Sequence, residues 1–278
     1  MANPTFTLSR ATLQDIPTLA AIAALAFKND TNTQLKAAAQ PPGAFEAGMA
    51  GMAGGLRQWI QTPERCAVLK AVNDRNNTIV GSVQWGFRGV PVGRTHVAEV
   101  LTGPANDVVA DEEVLDGGEH SRLSPEKQQI QTEPTARIKA LETMTSAHLA
   151  AFQRRIMPDD NNTQCMYIGG VTVDPAYQAQ GVGTQLVRWG TEQADRAGVF
   201  CWVCSSEGGW GMFERLGFRE VERLTVGLDE WAVGPPPSGK GEGEEEGEGD
   251  GDGTGDGTAR GRWGEYTFRY MVRQPRDT

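Results

Sequence analysis

Alternating and helically spaced apolar residues divide the chain into strands and helices. "FTLSR" reads as a short strand. A helix follows it, with Thr12 placed to cap the N-terminus and Leu19, Ile22, Ala23 and Ala26 recurring at helical spacing. After a stretch of weak periodicity comes a second helix, around Phe45 to Gln61. "CAVLKAV" and "TIVGSVQWGF" alternate as strands, and the turn chemistry of "NDRNN" between them predicts a hairpin. Thr135 to Met157 carries an apolar stripe of Ile138, Leu141, Met144, His148, Leu149 and Phe152, which predicts a helix with His148 in its core or at its rim. Then come a strand ("CMYIGGVTV"), a helix over roughly Gly183 to Ala197 stopped by Gly198, and a strand ("VFCWVCSS"). A short helix in "EGGWGMFERLGF" and the strands "EVERLTVGL" and "RWGEYTFRYMVR" close the series.

Two segments break this rhythm. From about 88 to 134 the periodicity is poor, and the segment reads as a long insertion, partly disordered or lid-like. From about 235 to 262 there is almost no apolar surface to bury, so an acidic Gly/Glu/Asp loop is expected to be disordered between the last two strands. Such a loop need not break the fold, because closure entropy grows slowly with length. The whole chain, 1–278, then reads as one domain with two interruptions.

The net charge is -10, and between Pro235 and Arg262 eight acids face three bases. The acidic tract reads first as a solvated spacer, and second as an arm for a basic protein partner. No basic footprint for nucleic acid is present, and a cationic substrate is favoured by the field. The longest apolar run is too short to span a bilayer, so no membrane role is expected. The start "MANPTFTLSR" lacks a basic region followed by an apolar one. A cytoplasmic or nuclear protein with reduced thiols is expected. Cys201-x-x-Cys204 sits in a strand-like run that puts the two thiols on opposite faces, so no metal site is expected.

The chemistry concentrates in "YQAQGVGTQLVRWG". Gln178-x-x-Gly181-x-Gly183 stands between a strand and a helix. The first amides of a helix lack partners, and its dipole adds about half a positive charge there. Glycines allow an anion to approach that backbone closely. The turn alone serves equally as a pyrophosphate seat or as a plain glycine turn. A dinucleotide fingerprint needs a glycine where Leu186 stands, and a Walker A loop needs a Gly-Lys-Ser/Thr that is absent.

This region resembles motif A of the GNAT superfamily of acyl-CoA-dependent N-acyltransferases. The resemblance runs through "GGVTVDPAYQAQGVGTQLVRWGTEQA", continues in "MFERLGF" and includes the opening "LSRATLQDIPTLAAIAALAF". It implies an α+β fold, with a mixed, mostly antiparallel sheet of six to seven strands flanked by helices and splayed at the motif-A strand. It implies acetyl-CoA as co-substrate, its pyrophosphate held by the backbone of Gln178, Ala179, Gln180, Gly181, Val182, Gly183 and Thr184. Along the segment Val171, Thr172 and Val173, the Val171 amide would meet the thioester carbonyl and the Val173 amide the pantetheine. Ser206 stands where relatives carry a cofactor-contacting asparagine, and it reads equally as a cap for the short helix.

The chain departs from the family pattern at two places. Tyr167 occupies the position of a motif-A glutamate, and Phe213 replaces the tyrosine that protonates the departing thiolate. The base must then come from elsewhere, with Glu99, Glu142 and Glu207 as candidates by residue type. The acceptor implied is a small cationic amine, taking the acetyl group directly. The alternatives are a protein lysine or N-terminus, and a catalytically weak acyl-CoA-binding regulatory module. The acceptor walls are expected from the first two helices, the insertion and the last two strands, with Trp85, Trp210 and Trp231 as lining candidates.

Overall fold

The computed structural model describes residues 5–40, 44–90, 132–158, 162–237 and 261–276. Most of the expected insertion, including Glu99, and most of the acidic loop lie outside the described residues. Seven strands form one sheet: β1 (Phe6–Arg10), β2 (Cys66–Asn73), β3 (Thr78–Arg88), β4 (Cys165–Val173), β5 (Phe200–Ser205), β6 (Arg219–Gly227) and β7 (Glu265–Arg273). Their order is β1-β2-β3-β4-β5-β7-β6. Every neighbouring pair is antiparallel except β4 and β5. This is the mixed, mostly antiparallel α+β sheet expected from the sequence.

The helices are α1 (Ile16–Phe27), α2 (Thr31–Ala38), α3 (Ala44–Ile60), α4 (Thr132–Ile156), α5 (Val182–Ala197) and α6 (Trp210–Arg215). α5 packs on one face of the sheet, where Leu186 and Val187 join Leu69, Val83, Met166 and Ile168. The opposite face is covered by α1 and α3, through Ile16, Leu19 and Leu56 on Val68. Further along that face Phe152 of α4 packs edge-on to Trp202 and flat against Tyr270. Ile138 and Leu141 of α4 meet Leu35 of α2 over Val226 and Tyr266.

Two local details differ from the expectation. Thr12 opens a single 3-10 turn, Leu13–Asp15, ahead of α1. Its amide and hydroxyl both reach Asp15 Oδ2, at 2.7 and 2.9 Å. Pro17, in the first turn of α1, lets the α-helix begin only after that turn. α2 was hidden in the stretch of weak periodicity, because only Leu35 of its eight residues is buried. Asp30 fixes its start by accepting from the Thr33 amide at 2.8 Å and the Thr33 hydroxyl at 2.9 Å.

Trp85 is fully buried on the α5 face, so it does not line an acceptor site. The indole fills the space a Cβ on Gly190 would take. Gly190→Ala is therefore expected to cost about 1–3 kcal/mol by overpacking. Trp85→Phe should recover part of that loss in the double variant. Thermal unfolding of the three variants checks this, and additive losses would contradict the contact.

Candidate active site

β4 and β5 run side by side only as far as Ile168 and Val203. Beyond that rung β4 continues to Val173 against β3, and β5 continues to Ser205 against β7. The two strands part, as the splay expected at this strand requires. The cause is visible in the register: Gln84 pairs with Gly170 and Trp85 with Ile168, which leaves Gly169 as an extra residue. Such a bulge bends a strand and re-aims the residues beyond it.

The backbone groups that border the parting can be assigned. The Asp174 amide donates to Val80 of β3 at 2.9 Å. By period-two alternation the amide of Thr172 also faces β3, while those of Val171 and Val173 face the parting. The Val173 carbonyl looks the same way and accepts from Gln178 Nε2 at 3.1 Å. Thr172 turns its hydroxyl to Ser82, at 3.1 Å.

The chain then makes a short turn, Pro175–Tyr177, with Asp174 capping the Ala176 amide at 2.9 Å. Ala179 takes a φ of 58° and Gly181 a φ of 88°, left-handed geometry that favours glycine at the second. Gly181 is the N-cap of α5 and provides no side-chain cap. Its carbonyl accepts the Gln185 amide at 2.9 Å, the first of the helical series. The amides from Ala179 to Thr184 have no protein acceptor among the described residues. A Cβ at Gly181 would touch nothing within 4 Å, and one at Gly183 would reach Met212 Sδ at 3.0 Å. A run of amides without protein acceptors at a helix start is what an anion nest requires.

On the face covered by α1, α3 and α4, glycines leave room for aromatic rings. Gly86 makes space for the Tyr167 ring, and Trp59 lies where a Cβ on Gly169 would meet it at 2.7 Å. Tyr167 sits edge-on to Trp59 and stacks on Trp202, with centroids 5.9 and 5.4 Å apart. Burial pushes the Tyr167 hydroxyl above its ordinary value, which suits a wall residue and not a base. Gln84 lies over Gly170. Neither Trp59 nor Gln84 was singled out from the sequence. The glycines at 86, 169 and 170 were the available signal.

The other candidates separate in space. Glu142 is on α4, ion-paired with Lys36 at 3.2 Å. Glu207 accepts from the Thr267 amide of β7 at 3.1 Å, just past the end of β5. Ser206 does not cap α6, whose N-cap is Gly209. No hydrogen bond of its hydroxyl is formed among the described residues. Phe213 is buried against Phe218, centroids 5.5 Å apart. Trp210 lies over the Arg269 guanidinium at 5.0 Å, and Trp231 packs beside the α2–α4 cluster. Cys201 joins the α5 face and Cys204 the α4 face, as alternation predicts. Burial pushes their thiols up to about 12 and about 11. Among the described residues no helix is long and apolar enough to cross a membrane.

A parted parallel pair followed by an uncapped glycine turn at a helix start makes an anion seat beside an open strand edge. Residues 147–218 match the acetyltransferase (GNAT) family model. No curated protein matches the chain in sequence. Its structure is similar to that of a putative arylalkylamine N-acetyltransferase 7 from the yellow fever mosquito, at 14% identity and a TM-score of 0.52. That alignment covers 97% of this chain and 87% of the other. It is similar also to a Drosophila melanogaster polyamine N-acetyltransferase, at 13% identity and a TM-score of 0.50, covering 97% and 100%. Residues 147–218 thus carry the signature of the GNAT acetyltransferase family, and the fold is the one these N-acetyltransferase structures share.

Proposed function

We propose that the protein transfers acetyl from acetyl-CoA directly to the primary amine of a small cationic acceptor. The observation that carries this reading is the run of amides from Ala179 to Thr184 without protein acceptors, directly beyond the parting of β4 and β5. The pyrophosphate sits on those amides, and the pantetheine arm takes the place of a strand beside β4. The Val173 amide holds the arm, and the Val171 amide receives the thioester oxygen as it gains charge. Ser206 Oγ, at the end of β5, contacts the arm from the other wall. The thiols of Cys201 and Cys204 stay protonated, which supports direct attack by the amine over a covalent acetyl-enzyme.

The cationic acceptor is supported by two carboxylates at the open end of the parting. Asp30 Oδ2 accepts from the Tyr266 hydroxyl at 2.8 Å, and burial, Asp30 and Glu207 together push that hydroxyl up. Neither carboxylate forms an ion pair with Lys or Arg among the described residues. An ammonium group entering there meets two negative charges that no Lys or Arg among the described residues balances. We read the chain from 1 to 278 as one domain, a reading supported by β1 and β7 belonging to the same sheet.

The test is a thiol-release assay with acetyl-CoA over small cationic amines, neutral amines and lysine peptides. Turnover on the small cationic amines is expected. Release with lysine peptides alone would move the acceptor to proteins, and acetyl-CoA binding without release from any amine would leave a binding module.

A further inference from the structure

An alkyl ammonium is almost wholly protonated at pH 7, and deprotonating it costs roughly 4.6 kcal/mol. That proton needs a route out, and Tyr167 and Phe213 do not provide one. Three polar groups not used above stand together on the α4 face. The His148 ring lies against Tyr270, with centroids 5.3 Å apart and planes 17° from parallel. Its Nδ1 is 3.0 Å from the Tyr270 hydroxyl. Its Nε2 is 3.6 Å from Glu222 Oε1, and Arg155 engages the other Glu222 oxygen. Phe152 stacks on Tyr270 with centroids 4.7 Å apart.

The position of this group matters as much as its contacts. Tyr270 is the β7 partner of Cys204, and Cys204 is the first β5 residue past the last β4–β5 rung. The inner end of the group therefore lies one strand from the parting, on the α4 face of the sheet. The outer end opens to solvent, with the side chains of His148 and Glu222 31% and 29% exposed.

We propose that Tyr270, His148 and Glu222 form a relay that carries the acceptor's proton from the parting to solvent. This rests on the N-acetyltransferase reading above. At rest the Tyr270 hydroxyl donates to Nδ1 of a neutral imidazole, and Nε2–H points at Glu222. Before attack, the proton of the ammonium passes through solvent in the parting to the Tyr270 oxygen, and the proton already on Tyr270 moves to Nδ1; the freed amine then attacks the thioester carbonyl, and its second proton goes to the departing thiolate of coenzyme A. The imidazolium, paired with Glu222, releases its Nε2 proton to solvent. Along the relay one proton leaves the ammonium, one enters solvent, and Tyr270 keeps a hydroxyl throughout. The exposed ring regains its first tautomer by exchange with water.

The surroundings fit a relay better than a simple base. Burial, then Cys204 and Glu222, push the Tyr270 hydroxyl up, with Arg155 opposing, so Tyr270 transmits a proton without ionising. The groups facing the imidazole are Tyr270 from β7, Glu222 from β6 and Arg155 from its own helix, with Cys204 of β5 beyond Tyr270.

The test compares His148→Gln, Tyr270→Phe and the double variant with the wild type, measuring kcat against pH at saturating substrates and acetyl-CoA affinity by calorimetry. Each single change is expected to lower kcat at pH 7 by about 10- to 100-fold, with acetyl-CoA affinity unchanged. The deficit should shrink near pH 9.5, where more of the amine is already neutral, and the double variant should be no slower than either single one. A deficit equal at every pH, or losses that multiply, would overturn the relay. Glu222→Gln, at the surface, gives a second variant if the buried changes unfold the protein, with a several-fold loss expected and an unchanged profile counting against the relay. Nitrogen NMR of the resting imidazole is expected to show the Nε2–H tautomer, and the Nδ1–H tautomer would reverse the path and overturn it. A wild type that turns over beside unaffected variants defeats the relay alone, whereas a wild type inert toward every amine defeats the transferase reading.

Discussion

Gly181→Glu is expected to fold and to lose at least a hundredfold in acetyl-CoA affinity. A Cβ at this position meets nothing within 4 Å, so no clash with the protein is introduced. The φ of 88° costs a non-glycine residue about 1–2 kcal/mol. A carboxylate at a helix N-terminus returns about 0.3–1 kcal/mol. Folding stability therefore changes by little. Binding changes by much if the proposed seat is right, because the new carboxylate takes the amides proposed to hold the pyrophosphate and repels its charge. A hundredfold loss corresponds to about 2.7 kcal/mol. Circular dichroism establishes the fold and calorimetry the affinity. A folded variant that binds within threefold of the wild type would mean that the turn does not seat the phosphates.

Asp195→Ala is expected to be the most destabilising single change at a surface-proximal position. Arg273 is buried, and its Nη1 and Nη2 meet the two Asp195 oxygens at 2.7 Å each. Its Nε donates to the Leu216 carbonyl at 3.1 Å, and the Arg276 amide adds a bond to Asp195 at 2.8 Å. This cluster ties α5, the end of α6 and β7 together. Removing the carboxylate strands a buried guanidinium, at a cost of about 3–5 kcal/mol. At roughly 2–4 °C per kcal/mol for a chain of this size, the melting temperature should fall by about 10 °C. Burial alone would raise the Asp195 carboxyl, but the bonds from Arg273 and the Arg276 amide outweigh it and hold the group below the usual carboxylate range. A lowered folded value gives stability that is present above the ordinary carboxylate pKa, about 3.9. That stability is lost as pH falls through the folded value. The gap between wild type and variant should be full at pH 7 and narrow below about pH 4. A gap independent of pH would show that the carboxylate contributes only packing.

The part of the site made by backbone was the most legible in the sequence. Gly181 and Gly183 announce a bare turn whatever surrounds them, and "CMYIGGVTV" announces a strand. The bulge at Gly169 within that strand was not read from the sequence, and its effect on the β4–β5 pairing is a matter of register that no local pattern displays. Side chains brought from distant segments were the least legible. Tyr266 reaches Asp30 across 236 residues and Tyr270 reaches His148 across 122. Nothing in either local pattern marks such a pair. Trp85 illustrates the converse. Its residue type invites a role in a binding wall, yet Gly190, more than a hundred residues later, makes the slot that holds it in the core.

The proposed function requires that the amides of Val171, Val173 and Ala179 to Thr184 receive coenzyme A. Residue-resolved amide hydrogen exchange, with and without saturating coenzyme A, tests it directly. Slower exchange at those amides, beyond any change elsewhere in the sheet, is the predicted result. Coenzyme A that binds while leaving these amides exchanging at their free rates would contradict it.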